Sequence, residues 1–450
     1  MKTCIVTLLL GSMLHILAAQ HATVNDSPNG LTLAQCIESA MSKNQLLAAS
    51  QFKLDAAEAN MREAQGKRLP RLTLSGRAAQ LSDVPTYSLT LPGIGRQTLF
   101  ESISHSYSTR VTLQQPIFTG FRLAGLAEMS EHQHEISSYE YRKTKNELVM
   151  DVSTSYWNLY KAAKLQELLE ETRKQLSEHL VDVKNLLGQG MATQLDVLRV
   201  ETQLMDLSMK NIEANSAVLL ASMRLSSLIG SDLLVPLKPT DDATKMLPSD
   251  RDLSVELNSL MASARDRRPE MLVIKEMRAI REAAVSVAKA GWYPQVSISA
   301  SYEYARPNNR IIPPSDRWEK TWDMGIVLQW SLWDWFETSH KVAEASARES
   351  EARAQFKLLS DAVALDVVTQ QRRLVEAHTL VSAGEQHVRS AAEASRVANE
   401  KFRQGVATST DVLDAEQALL QARVNHTVAT VESALQLQRF KMALGEDLFD

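Results

Sequence analysis

Gln189-Gly190-Met191-Ala192-Thr193-Gln194-Leu195-Asp196-Val197-Leu198 returns 215 residues later as Gln404-Gly405-Val406-Ala407-Thr408-Ser409-Thr410-Asp411-Val412-Leu413. In each copy the glycine suits the left-handed position that ends a helix, and the threonine suits the N-cap of the next one. Asp196 and Asp411 fall three residues after those threonines, where a capping box places an acidic or amide side chain beside the positive helix end. The stretch predicts a tight turn between two helices, and predicts it twice.

The surrounding chain repeats as well. At the same offset Asp151-Val152 matches Asp366-Val367 and Gly230 matches Gly445; upstream the offset becomes 224, pairing Pro70 with Pro294, Leu72 with Val296 and Leu74 with Ile298. The first half therefore carries about nine extra residues between its Pro70 strand and its long helix. A coiled-coil bias alone would not reproduce this loop and strand punctuation, so the pattern reads as a duplication. No proline interrupts 118–235 or 315–450. Since proline breaks helix interiors, these are the two places for very long helices. Leu148, Val152, Leu159, Leu165, Leu169, Leu176, Leu180, Val183 and Leu187 follow helical spacing, as do Leu420, Val424, Val428, Val431 and Leu435. A helix over 123–187 would run on the order of 100 Å.

Strand signals lie between the short and long helices of each half. Leu72, Leu74 and Ala78 alternate with polar residues, as do Val111 and Leu113; Val296, Ile298, Ala300, Tyr302 and Tyr304, then Met324, Ile326, Leu328 and Trp330, form the other two rows. Rows of about 8 to 10 residues with one apolar face suit strands that cross a membrane between lipid and water. The same alternation fits a half-buried antiparallel sheet on a soluble core. Trp292 and Tyr293 precede the third row, and Trp330, Trp333, Trp335 and Phe336 cluster at the end of the fourth. An antiparallel hairpin would bring these six aromatics to one edge, as an interfacial girdle or as an aromatic cluster in water. Four strands cannot close a barrel, and open edges are not tolerated in lipid, so the membrane reading demands several copies of the chain. Leu81 to His105, with Pro92-Gly93 and Gly95, reads as an exposed loop.

Lys2 followed by the apolar Thr3–Leu17 and the small Ala18 and Ala19 reads as an export signal over 1–19, cleaved near Ala19. Of the two cysteines, Cys4 would leave with it, and Cys36 reads as a buried structural thiol. Lys and Arg number 49 against 54 Asp and Glu, a net charge of −5 that argues against a nucleic-acid partner. His132 and His134 lie two apart and so on different helix faces; the chain has no metal-site spacing, phosphate loop or nucleophile elbow, and no cofactor or enzyme activity is expected. Asp414 lies three residues after Asp411 on the same helix face. Repeated around an axis, the two carboxylates would form an acidic ring at a cation-sensitive constriction. Capping alone would also account for Asp196 and Asp411, and solvation for Asp414.

This ordered duplication, the twin Gly-x-Ala-Thr tips and the run Asp411-Val412-Leu413-Asp414-Ala415 resemble the TolC-like outer-membrane efflux proteins over nearly the whole mature chain from Leu31 onward. The resemblance implies a mainly α fold with a small β part, in which a helix, strand pair and long helical hairpin occur twice. Residues 20–235 would form the first repeat, with strands at about 70–79 and 106–116 and a hairpin over 122–230. Residues 236–450 would form the second, with strands at about 294–304 and 322–331 and a hairpin over 337–445. It further implies a homotrimer in outer-membrane lipid, with a 12-stranded barrel continued by an α-helical barrel in the periplasm. Transport would be passive, powered by an inner-membrane pump through a periplasmic adaptor, with cargo selectivity largely in the pump. By the same resemblance Asp411 and Asp414 match the periplasmic constriction. Gly190, Met191, Ala192 and Thr193, with Gly405, Val406, Ala407 and Thr408, match the tips that the adaptor engages. Ala407 stands where a relative carries a gate-locking arginine, and Arg199 stands in the first-repeat position equivalent to Asp414. An Arg199–Asp414 pair is the candidate substitute lock, with Asp196 beside it. An exported periplasmic adaptor or coiled-coil scaffold is the alternative, since it would share the signal and the hairpins.

Overall fold

The computed structural model describes residues 30–449 apart from 86, 101 and 250–255. The export signal expected over 1–19 lies outside these residues. Two short helices open each half. Helix α1 (Leu33–Lys43) is capped by Thr32 and Gln35 in a capping box, and α2 (Gln45–Gly66) begins at Asn44, whose Oδ1 accepts from the N–H groups of Leu46 and Leu47.

The first half then supplies strands β1 (Arg71–Gln80), β2 (Tyr87–Leu91), β3 (Gly95–Phe100) and β4 (His105–Phe118). The long helix α3 (Arg122–Gly188) and its return α4 (Gln194–Ile229) complete it. In the second half come α5 (Leu257–Arg267), α6 (Pro269–Lys289) with proline at its first turn, β5 (Gln295–Arg306) and β6 (Glu319–Gln329). The hairpin of α7 (Glu337–Arg403) and α8 (Ser409–Ala443) closes the chain. Helices α3 and α7 each have 67 residues, about 100 Å at 1.5 Å per residue.

The returns are shorter, with 36 residues in α4 and 35 in α8, and glycines mark where each stops. Gly230 (φ +66) ends α4 against Lys43, at the break between α1 and α2; a Cβ there would lie 2.9 Å from the Lys43 Cβ. Gly445 (φ +78) follows α8 against the equivalent break, 2.6 Å from the Arg268 nitrogen by the same measure. Each return helix thus abuts the start of a short helix, and together they span the long one. Around the first junction sits the largest aromatic core, with Tyr156 and Trp157 fully buried among Val152, Leu159, Leu225, Ile229, Val431 and Leu435. The Tyr156 hydroxyl lies 3.0 Å from Leu31 O and from Asp241 Oδ2 and accepts from the Thr240 and Asp241 N–H groups at 3.1 Å. Burial pushes this phenol up to about 12, and burial beside Asp241 raises the Cys36 thiol to about 12. Cys36 is therefore an inert, fully buried thiol.

Strands β1, β4, β5 and β6 form one antiparallel sheet in that order, so the two halves meet at the β4–β5 pair. Residues 81–104 correct the expectation of a plain loop. Strands β2 and β3 pair as a separate hairpin, turned by Gly93 (φ +87) and Gly95 (φ +86). Those glycines fit loop punctuation equally well, but positive φ at a short turn is also what brings two strands back together.

Candidate functional site

Both hairpin tips are built alike. At the first, the Gly190 N–H donates to Leu187 O and the Met191 N–H to Leu186 O, each at 2.9 Å. At the second, Gly405 donates to Phe402 O and Val406 to Lys401 O, also at 2.9 Å. These paired bonds close the helix ends and need the left-handed glycines, at φ +77 and +73. The returning helices start with reciprocal caps. The Thr193 N–H donates to Asp196 Oδ2 at 2.9 Å and the Asp196 N–H to Thr193 Oγ1 at 3.3 Å; the Thr408–Asp411 distances are 2.8 and 3.2 Å.

Both carboxyls are held below the usual carboxylate range by the threonine hydroxyl first and the backbone N–H second. One oxygen of Asp196 and of Asp411 is thus committed to capping. Asp414 is exposed one turn further on. Met191 and Val406, 68% and 74% exposed, project from the tips, while Ala192 and Ala407 pack inward against the core between the hairpins. Arg199 Nη1 donates to Thr410 Oγ1 at 2.9 Å, so within the protomer its partner is the second tip's first turn rather than Asp414.

Sequence reasoning passed over His179. About three turns above the first tip, it is buried, with its ring 4.8 Å from Phe402 and Nε2 3.0 Å from Ser409 Oγ. It therefore joins α3 to both helices of the second hairpin. Burial lowers its pKa, opposed by the charges of Asp182 and Glu416. His132, also on α3, is bonded to Glu276 of α6 at 2.6 Å and has a structural explanation.

The sheet has two unlike faces that run across all four strands. Register places Leu72, Leu113, Ala300 and Met324 in one row, and Leu74, Val111, Tyr302 and Trp322 in the next. On the other face the rows are Thr73, Thr112, Ser301 and Asp323, then Ser75, Arg110, Glu303 and Thr321. On the polar face Arg110 lies 3.0 Å from Glu303 and Ser301 Oγ donates to Asp323 at 2.6 Å. The apolar face is bare: Leu72, Leu74, Trp322, Met324, Ile326 and Leu328 are 65–73% exposed. A sheet half-buried on a soluble core is not what this protomer contains.

Aromatics mark both ends of the strands. At the helix end, Trp330 Nε1 donates to Trp292 O at 3.2 Å, and the Trp333 ring meets Trp335 and Phe336 edge-on at 5.7 and 5.5 Å. Tyr293 joins Phe118 and Phe121 at 6.3 and 6.0 Å. All six predicted girdle residues are thus brought to one edge, with two phenylalanines that sequence reasoning did not single out. Gly120-Phe121 and Trp335-Phe336, 215 residues apart, all have positive φ, so the same double left-handed step turns strand into long helix twice. At the far end Tyr107, Tyr304 and Trp318 form a second cluster. From Tyr293 to Tyr304 the strand covers about 36 Å, or about 28 Å along the normal of a barrel whose strands tilt by ~40°. That height is close to an apolar band of about 25 Å.

The family profile described as outer membrane efflux protein matches residues 36–231 and 260–446. The chain belongs to this family. A probable efflux pump outer membrane protein, TtgC of Pseudomonas putida, is 23% identical over 401 residues, covering 87% of this chain and 78% of the relative. Outer membrane protein TolC of Vibrio cholerae is 20% identical over 319 residues, 71% of this chain and 72% of that one. Among solved structures, the fold resembles the outer membrane protein VceC of Vibrio cholerae with a TM-score of 0.74 at 16% identity, over 93% of this chain and 97% of that chain. As an outer membrane efflux protein the chain is located in the outer membrane with its helical part in the periplasm. Its relatives are channel proteins rather than enzymes, and the adaptor or scaffold alternative is set aside.

Proposed function

We propose that three copies of this chain close a 12-stranded barrel and a helical tunnel, forming the passive exit duct of a tripartite efflux or type I secretion system. The observation that carries this reading is the bare apolar face that crosses all four strands and ends at two open edges, β1 and β6. In lipid each unpaired backbone group costs several kcal/mol, so β6 of one copy must pair with β1 of the next. A second unpartnered surface supports the same assembly. Leu195, Leu198, Met205, Met209, Ile212 and Leu219 of α4 follow three, four and seven-residue spacing and are 47–67% exposed, as a coiled-coil seam awaiting another copy would be.

In this trimer the polar faces of the sheets line the lumen and the six tips converge at the periplasmic end. Asp414 supplies the acidic ring, Asp411 contributes its free oxygen, and Arg199 bridges to Asp414 of a neighbouring copy when it leaves Thr410. An adaptor meets the exposed Met191 and Val406 and opens the ring for the inner-membrane pump. Planar-bilayer recording of the purified protein tests the duct. The expected record shows ohmic single channels with small closed-state current, larger and less cation-selective in Asp414→Asn, and larger in Arg199→Ala. A protein that inserts yet conducts nothing, in wild type or variant, contradicts the proposal.

A further inference from the structure

The two strand ends differ in chemistry. By register, Tyr107 lies opposite Arg306 and Tyr304 opposite Lys320, on the apolar face that continues through Tyr302, Trp322 and Ile298. The turn between β5 and β6 folds back over this rim. Asp316 accepts from Arg306 at 2.8 and 2.7 Å and lies 3.3 Å from His105 Nε2. Trp318 stacks on Tyr304 at 4.9 Å, with planes 22° apart. The turn is therefore fixed, and it displays Arg317 and Lys320, both exposed.

Both faces carry paired and unpaired cations, since Arg71 and Arg77 on the polar face of β1 have no ion pair among the described residues. The polar face pairs Arg110 with Glu303 and Arg310 with Asp323. On the apolar face Arg306 is matched by Asp316, while Lys320 has no ion pair among the described residues. A cation on the lipid side of a transmembrane strand is tolerated near an interface, where it can meet anionic headgroups. The long helices leave from the opposite strand ends, so with those helices in the periplasm this rim lies at the outer leaflet.

We propose that the rim is a binding site for a phosphorylated glycolipid of the outer leaflet, with Lys320 and Arg317 on its phosphates and the Trp318–Tyr304 stack as an aromatic floor for its sugars. The site rests on the barrel reading, because only a closed barrel turns this face to lipid. Compact, strongly hydrated Lys320 would act as a point charge, and Arg317 could grip phosphate through two N–H groups.

The test is a titration of the detergent-purified particle with fluorescent bis-phosphorylated lipid A, its dephosphorylated form and phosphatidylglycerol, after its mass has been measured. Wild-type protein should bind the phosphorylated glycolipid at least about tenfold more tightly than either control, a difference of ~1.4 kcal/mol. The double variant Lys320→Gln/Arg317→Gln should remove that preference while keeping the particle mass, and Lys174→Gln, on the periplasmic helix α3, should leave it intact. Equal affinity of wild type and double variant overturns the site. Equal binding of phosphatidylglycerol reduces it to ordinary annular lipid and overturns it too. A particle that is not trimeric overturns the barrel reading itself, and the site with it; a trimer without lipid preference overturns the site alone.

Discussion

Thr193 and Thr408 show how a single side chain holds a tip. Each accepts an N–H bond and is itself bonded by the aspartate three residues on, so Thr408→Ala should cost about 1 kcal/mol of local stability. Hydrogen exchange should show faster opening of the first turn of α8 with the rest of the helix unchanged. His179 makes a second prediction. Its pKa is lowered by burial, so the packed hairpins favour the neutral ring. That contribution is complete above the ordinary histidine value near 6.5 and is lost as pH falls below it, because the loosened state binds the proton more readily. Asp182 and Glu416 oppose the shift and narrow the window. Protection of amides around Ser409 should fall as the pH drops below about 6.5 in wild type and stay flat in His179→Gln. At this scale the sequence was legible where a residue repeats a local rule: the capping boxes follow from Thr-x-x-Asp spacing alone. His179 was not, because a histidine on a long amphipathic helix carries no local mark of the ring and hydroxyl it meets 223 and 230 residues away.

Elements are held in register by glycines whose reasons differ. Gly190 has positive φ but nothing within 4 Å of the place a Cβ would take, so Gly190→Ala should cost only the left-handed strain, about 1–2 kcal/mol. Gly445 has the same backbone and also backbone atoms of Arg267 and Arg268 at 2.7 and 2.6 Å from that place, so Gly445→Ala should be clearly worse and separate α8 from the start of α6. Thermal melts of the two variants should rank in that order. The long helices were readable from the proline-free stretches, and the tips from the ten-residue repeat. The double left-handed step at Gly120-Phe121 and Trp335-Phe336 was hidden because three of its four residues are aromatic, and bulky side chains rarely adopt positive φ. The β2–β3 hairpin was hidden because its glycines signal a loop as readily as a turn between strands.

At the scale of the whole molecule, the apolar rows foretold the faces of the strands but not their neighbours. Alternation fixes which side of a strand is apolar, whereas the order β1-β4-β5-β6 depends on how two repeats dock, and no local pattern encodes it. The faces have unequal tolerance. Met324→Lys places a charge on the bare face and should cost roughly 2–4 kcal/mol near the bilayer midplane, whereas Thr112→Lys, on the polar face, should be accepted. Yield of assembled protein in the outer membrane would compare them, and similar yields would argue against lipid on the apolar side. The central claim is that four strands per chain close into one barrel through three copies. The most direct measurement is the mass of the particle extracted from the outer membrane in detergent, with bound detergent subtracted. About three times the chain mass of 50.1 kDa is the predicted result, and a detergent-independent monomer or dimer would contradict it.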